Sequence, residues 1–395
     1  MKNIIHASFF LFSFFFFLFP AGSALALDLE ISGEIKTGFF SEWRELGGET
    51  YSHAMIHNND GDSGPDVGRI RLGLNLTGGN FGIRTRFFQE LFDRGTSSND
   101  PNALRVGMDF AYVYGNLFDG QLKISAGLLG ESPWATGGPE LFRELEYTGD
   151  GASIMGIRTE WKPNFLPGLN LGFVLNRADD NMPSDAKELL ADLFLESIAG
   201  IAWEHDYFAF RFAYRFDRGI DSPMANVVGQ RLVYRVEERI LDKLLPGMSI
   251  SANGYCQGIG AVGKGSGRGT QCYIENWLYV SYDPEYFTVG LNVRYMDDFL
   301  NNGQQLEFKP SFYWKFFNNF LAVGLMGGLE MGFNNGKSFQ DAFYNFWFIE
   351  PQVKANITNN IYAAVVWRYT SGTYNTSRNK DQTTNWLNIR LVYTF

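Results

Sequence analysis

The sequence predicts an all-β fold: a transmembrane, antiparallel, up-and-down β-barrel of about 18 strands, with about 16 as the alternative count, following a cleaved signal peptide. Three observations predict it. Short segments alternate apolar and polar residues with period 2, which in an extended chain puts one kind on each face. Aromatic residues make up 16% of the chain and glycine occurs 44 times, yet the mean hydropathy is slightly negative, unlike a bundle of membrane helices. Beyond the first 26 residues no run approaches the ~18 uninterrupted apolar residues that a membrane helix requires.

Residues 1–26 read as a secretory signal peptide. Lys2 supplies the positive start, Phe9 to Phe19 is apolar apart from Ser13, and Ala24-Leu25-Ala26 is a small-residue cleavage site. Residues 27–395 carry no linker or composition shift and are read as one barrel. The formal net charge is −10, or −11 without Lys2, which argues against nucleic acid as a partner.

The first strand, Leu27 to Trp43, sets Leu29, Ile31, Gly33, Ile35, Thr37 and Phe39 against Asp28, Glu30, Ser32, Glu34 and Lys36. Arg44 to Pro65 reads as a long polar loop. Its Asn58 to Asp66 portion lacks the ligand spacing and closing glutamate of a calcium loop, so solvated loop is the better reading. Gly78-Gly79 signals a two-residue hairpin turn. That turn pairs Leu76 with Phe81, Arg71 with Arg86 and Gly73 with Arg84. Turning these strands over would put arginines in lipid, at about 2–4 kcal/mol each near the midplane. Arg69, Arg71, Arg84 and Arg86 are therefore expected to share one patch of the inner wall.

In the next strand Leu104, Val106, Met108, Phe110, Tyr112 and Tyr114 are expected outward, and after a turn Leu122, Ile124, Ala126 and Leu128 follow suit. Gly130 to Gly151 forms a third outer loop with Glu131, Glu140, Glu144, Glu146 and Asp150 against Arg143. Arg177 to Phe194 forms a fourth, with a short helix capped by Ser184. Later hairpins repeat the alternation, with Arg158, Arg211, Arg215, Arg231 and Arg235 inward. Leu166-Pro167-Gly168 and Leu245-Pro246-Gly247 read as short turns. Glu237 to Lys243 has a helical pattern, which is why the strand count carries an alternative. Cys256 and Cys272, the only cysteines, flank a glycine-rich loop. In an exported protein they are expected to form a disulfide worth roughly 3 kcal/mol.

The last stretch sets Leu387, Ile389, Leu391, Tyr393 and Phe395 on one apolar face. A strand ending in phenylalanine resembles the end of bacterial outer-membrane barrels. The resemblance implies that Phe395 is read by the barrel-assembly machinery. The acidic third loop, the wall arginines, and the stretch Ser153 to Trp161 followed by Leu169 to Asn176 resemble general outer-membrane porins. There the third loop folds into the barrel so that its acids face arginines on the wall. By that resemblance Arg69, Arg71, Arg84, Arg86, Arg158, Arg211, Arg215, Glu131, Glu140 and Glu144 line a pore, and the protein sits in outer-membrane lipid as a homotrimer. The alternative is an acidic loop lying over the mouth.

A barrel of this size holds an aqueous channel. The expected function is passive diffusion of ions and small hydrophilic solutes. A channel selective for a sugar or hydrophobic compound is the alternative, with Tyr313, Phe346 and Phe348 as an aromatic track; a surface adhesin is a third reading. Catalysis is not expected: His53, His57 and His205 have no nucleophile or acid placed beside them. No cofactor or metal is implied.

Overall fold

In a computed structural model the residues described are 27–56, 69–90, 105–129, 134, 154–176, 197–215, 231–257, 273–298, 303–333, 343–375 and 380–395. Their strands are β1 (Asp28–Leu46), β2 (Glu49–Ile56), β3 (Arg69–Gly78), β4 (Phe81–Glu90), β5 (Arg105–Leu117), β6 (Leu122–Leu129), β7 (Ile154–Trp161), β8 (Leu169–Asn176), β9 (Ile198–Glu204) and β10 (Phe208–Arg215). After them come β11 (Arg231–Glu238), β12 (Met248–Gln257), β13 (Tyr273–Tyr282), β14 (Phe287–Asp298), β15 (Gly303–Phe316), β16 (Leu321–Phe333), β17 (Phe343–Thr358), β18 (Ile361–Asn375) and β19 (Lys380–Thr394).

Strands consecutive in the chain pair antiparallel, except β2 with β3, and β1 pairs with β19 to close the ring. One edge of β1 takes β3 along Asp28–Lys36 and β2 along Phe39–Leu46. β2 and β3 thus occupy one stave in succession, and the barrel has 18 staves. The first and last strands meet at one rim, where Gly33 and Phe395 exchange backbone hydrogen bonds of 2.8 and 3.0 Å. The short connections of 79–80, 118–121, 162–168, 205–207, 239–247, 283–286, 317–320 and 359–360 belong to the same rim. Both Leu-Pro-Gly turns are there, each ending on a glycine with positive φ, 84° at Gly168 and 90° at Gly247. The ambiguous segment resolves into a strand, β11, and a one-turn helix, α1 (Ile240–Leu244).

The alternation decides which face meets what. The outward set is apolar and exposed, including Leu29, Ile31, Val289, Leu291, Phe312, Trp314, Leu325, Val365, Trp367, Ile389 and Leu391. The inward set is polar and mostly buried, including Lys36, Glu42, Ser125, Arg158, Glu160, Asn253, Glu275, Glu307, Glu350 and Asn388. That is the inverse of a water-soluble protein and the arrangement of a barrel in lipid. Phe118, Phe165, Tyr207, Tyr286 and Phe317 crowd the short-turn rim, more than half exposed, as an interfacial belt does. Among the described residues no helix is long and apolar enough to cross a membrane.

The structure corrects four expectations. The polar loop after the first strand is partly sheet: β1 runs on to Leu46, turns at Gly47-Gly48 and returns as β2. The second hairpin turns on Gly79-Asn80, with φ of 59° at Gly79. Its register is two residues from the expected one, so Gly73 faces Arg86, Asn75 faces Arg84, and Arg71 faces Phe88. An even shift keeps every residue on its face but separates the arginines that would have stood opposite each other.

In β5, Phe87 of β4 pairs with Met108 and Arg86 with Phe110, leaving Asp109 as an extra residue. This bulge reverses the alternation. Met108 stays outward, while Phe110, Tyr112 and Tyr114 turn inward, against expectation. Cys256 is a free thiol. It stands on the outward face across from Ile274, and Cys272 lies outside the described residues. The signal peptide, Asn58–Asp66, and the fourth loop with its helix also lie outside them.

Candidate functional site

One arc of the inner wall is basic and interleaved with aromatic rings. Arg84 and Arg86 stand on β4, with guanidinium carbons 5.4 and 4.8 Å from the centre of the Phe110 ring. Arg158 of β7 lies 5.7 Å from the Tyr112 ring, and Lys123 of β6 lies 4.7 Å from the Tyr114 ring. The bulge at Asp109 supplies these rings. Without it these rings would face lipid. Each such stack contributes roughly 0.5–2 kcal/mol. Arg158 is also paired with Glu160 at 3.0 Å, both buried.

Nine staves further round, β4 is faced by β13 and β7 by β16. That arc carries an acid-rich network. Arg294 of β14 reaches Glu275 at 3.5 Å, Glu307 at 3.2 Å and Glu330 at 3.6 Å. Lys309 pairs with Glu307 at 2.8 Å, and Arg368 of β18 pairs with Glu350 of β17. The four carboxylates exceed the three cations, and all four are buried. Burial makes each pairing necessary, because an unpartnered charge there costs several kcal/mol.

Two prolines border the network. The ladder between β15 and β16 skips Lys309 and Pro310, and that between β17 and β18 skips Glu350 and Pro351. Proline has no N–H to donate. The lysine and glutamate beside these gaps are held by side-chain ion pairs instead.

Trp134 lies in the sequence between β6 and β7 and is fully buried inside the barrel. Its ring lies flat on the inner wall over Gly172 of β8 and Gly200 of β9. A Cβ on either glycine would come within 2.1 Å of it. Val174, Ile198, Ala202, Ala213 and Leu129 complete the apolar cluster around it. Tyr313 lies over Gly324 and Phe348 over Gly328 in the same manner, so both face inward.

Of the residues expected at the pore, Arg71, Arg84, Arg86, Arg158 and Arg211 are on inward faces, Arg211 in a 3.0 Å pair with Glu204. Arg69 occupies the ladder position between Lys36 and Glu90, and Arg215 that between Ile198 and Arg231. Glu131, Glu140 and Glu144 lie outside the described residues. Glu275, Glu330, Glu350 and Arg368 were not paired from sequence, since their partners sit on other strands. His205 is a rim residue stacked 5.1 Å from the Phe208 ring.

No protein-family model matches the chain, and no curated protein matches it. Among solved structures it is similar to OpdQ of Pseudomonas aeruginosa, with a TM-score of 0.52 and 11% identity over 93% of this chain and 98% of that one. OccK7 (OpdD) of the same organism gives a TM-score of 0.51 and 10% identity over 93% of this chain and 99% of that one. OccK5 (OpdH) gives 0.51 and 12% over 93% and 98%. The fold is that of an outer-membrane porin. With its apolar band outward, such a barrel sits in a bacterial outer membrane. At these identities the likeness carries the fold alone, so the barrel's wall must be read from its own side chains.

Proposed function

We propose that the protein is a channel for passive diffusion of ions and small hydrophilic solutes, with a lumen polarised between two walls. One observation carries this reading. Arg84, Arg86, Lys123 and Arg158 occupy one arc, and Glu275, Glu307, Glu330 and Glu350 occupy the arc opposite. Charges so placed orient water and dipolar solutes across the passage, and they bias small ions by sign. Trp134 supports an inward course of the third loop at that point, which would narrow the passage.

The test is single-channel recording of the refolded protein in a planar bilayer under a salt gradient. Large stable steps are expected. Replacing Arg84 and Arg86 by Gln should move the reversal potential toward cation preference, and replacing Glu275 and Glu307 by Gln should move it the other way. Both shifts should shrink as salt rises. Inserted, folded protein that passes no current would overturn the channel and favour a surface-binding barrel.

A further inference from the structure

Gly73 is a gap in an otherwise furnished wall. It lies between Ser32 of β1 and Arg86 of β4, and the adjacent inward row runs Glu30, Asn75, Arg84 across the same three strands. A Cβ built on Gly73 would meet only Ser32, its Oγ at 2.7 Å. The missing side chain leaves a recess of about 110 Å³ bounded by these residues and Phe110. A water molecule's share of liquid is about 30 Å³, so the space suits a small organic solute.

The recess has ends of opposite sign. At the β1 end the Glu30 carboxylate accepts a 3.3 Å hydrogen bond from Asn75 Nδ2. The Asn75 amide is oriented by Tyr114, whose hydroxyl donates to Asn75 Oδ1 at 3.5 Å. At the β4 end the Phe110 ring draws both guanidiniums toward β5 and so away from Glu30. Among the described residues Glu30 and Arg84 form no ion pair with each other. Strands two apart are separated by roughly 10 Å, and inward-leaning side chains shorten that span. A simple anion entering here meets Glu30, and a simple cation meets two guanidiniums. A solute carrying both charges satisfies both ends through charge-assisted hydrogen bonds.

We propose that this recess binds a small zwitterion, with its carboxylate at Arg84 and Arg86 and its ammonium at Glu30. The proposal rests on the channel reading for access to the lumen, but it is tested without conduction. Full-length protein refolded in detergent is dialysed against radiolabelled β-alanine, with propionate and propylammonium as competitors of the same length. Saturable binding is expected, and each singly charged competitor should be at least about tenfold weaker. Glu30→Gln should abolish the advantage of β-alanine over propionate. Arg84→Gln should abolish its advantage over propylammonium.

Both variants change groups open to the lumen, and their folding is checked by the gel shift between unheated and boiled samples. No saturable binding, propionate binding as well as β-alanine, or unchanged preferences in both variants would each overturn the site. Failure of conduction alone bears on the channel and not on the recess.

Discussion

Arg368 shows how a charge is kept in the wall of this barrel. Its guanidinium lies 4.1 Å from the Phe348 ring and 5.2 Å from the Trp386 ring, and it pairs with Glu350, which also accepts from Gln352. Glu350 is only 2% exposed. Arg368→Met therefore removes the partner of a buried carboxylate, and a loss of about 3 kcal/mol is expected in urea titrations of the folded barrel. Adding Glu350→Leu should recover most of it, because the desolvation cost disappears together with the charge. A double variant as unstable as the single one would mean that the rings, and not the ion pair, are what Arg368 supports. Trp134 gives a steric counterpart. Gly200→Ala places a methyl inside the space of its ring and should cost about 1–3 kcal/mol. With Trp134→Ala already present the same change should cost almost nothing, since the two groups interact directly. Additive losses would sink that contact.

At the scale of the element, β5 is where local pattern and structure part. Its residues alternate as if Phe110, Tyr112 and Tyr114 continued the apolar face of Met108, and only pairing with β4 reveals the extra Asp109. Deleting Asp109 should restore continuous alternation and swing one arm of the strand to the opposite face. The expected result is loss of the folded, heat-shifted gel form, because either three rings leave Arg84, Arg86, Lys123 and Arg158 or the remaining arm inverts. A deletion variant that folds normally would show that the bulge is dispensable. Elsewhere the period-2 pattern was enough to assign the faces, as in β14, β18 and β19, because lipid on one side and water on the other penalise any inversion. Turn residues were less decisive. Gly78, Gly79 and Asn80 allow two turns of equal chemistry, and the same Gly-Gly signal at Gly47-Gly48 lay inside a segment too polar to read as sheet. What the sequence hid was cross-strand geometry. The meeting of Arg294 with carboxylates on β13, β15 and β16, and of Trp134 with two glycines, depends on which staves become neighbours.

For the whole molecule, stability depends on the seam that joins β1 to β19. β1 and β19 pair from Glu34–Thr394 to Leu46–Gln382, and the last residue locks the rim. Phe395 stacks 5.5 Å from Tyr393, exchanges two backbone hydrogen bonds with Gly33, and lays its ring where a Gly33 side chain would be. An unclosed seam exposes unpaired backbone groups to lipid at several kcal/mol each, so closure should be all-or-none. Two changes disturb it in different ways. Deleting Phe395 removes the ring, both hydrogen bonds and the terminal residue that the porin resemblance makes an assembly signal. Gly33→Leu displaces the ring, since its Cβ would stand 2.5 Å from Phe395, but leaves the chain terminus intact. In refolding into pure lipid vesicles both variants should close more slowly and to a similar degree. If Phe395 is the assembly signal that the resemblance implies, the deletion should reduce folded protein in cells several-fold further than Gly33→Leu, because recognition is lost as well as the seam. Equal reductions in cells would assign Phe395 to the seam alone and would overturn its expected part as an assembly signal.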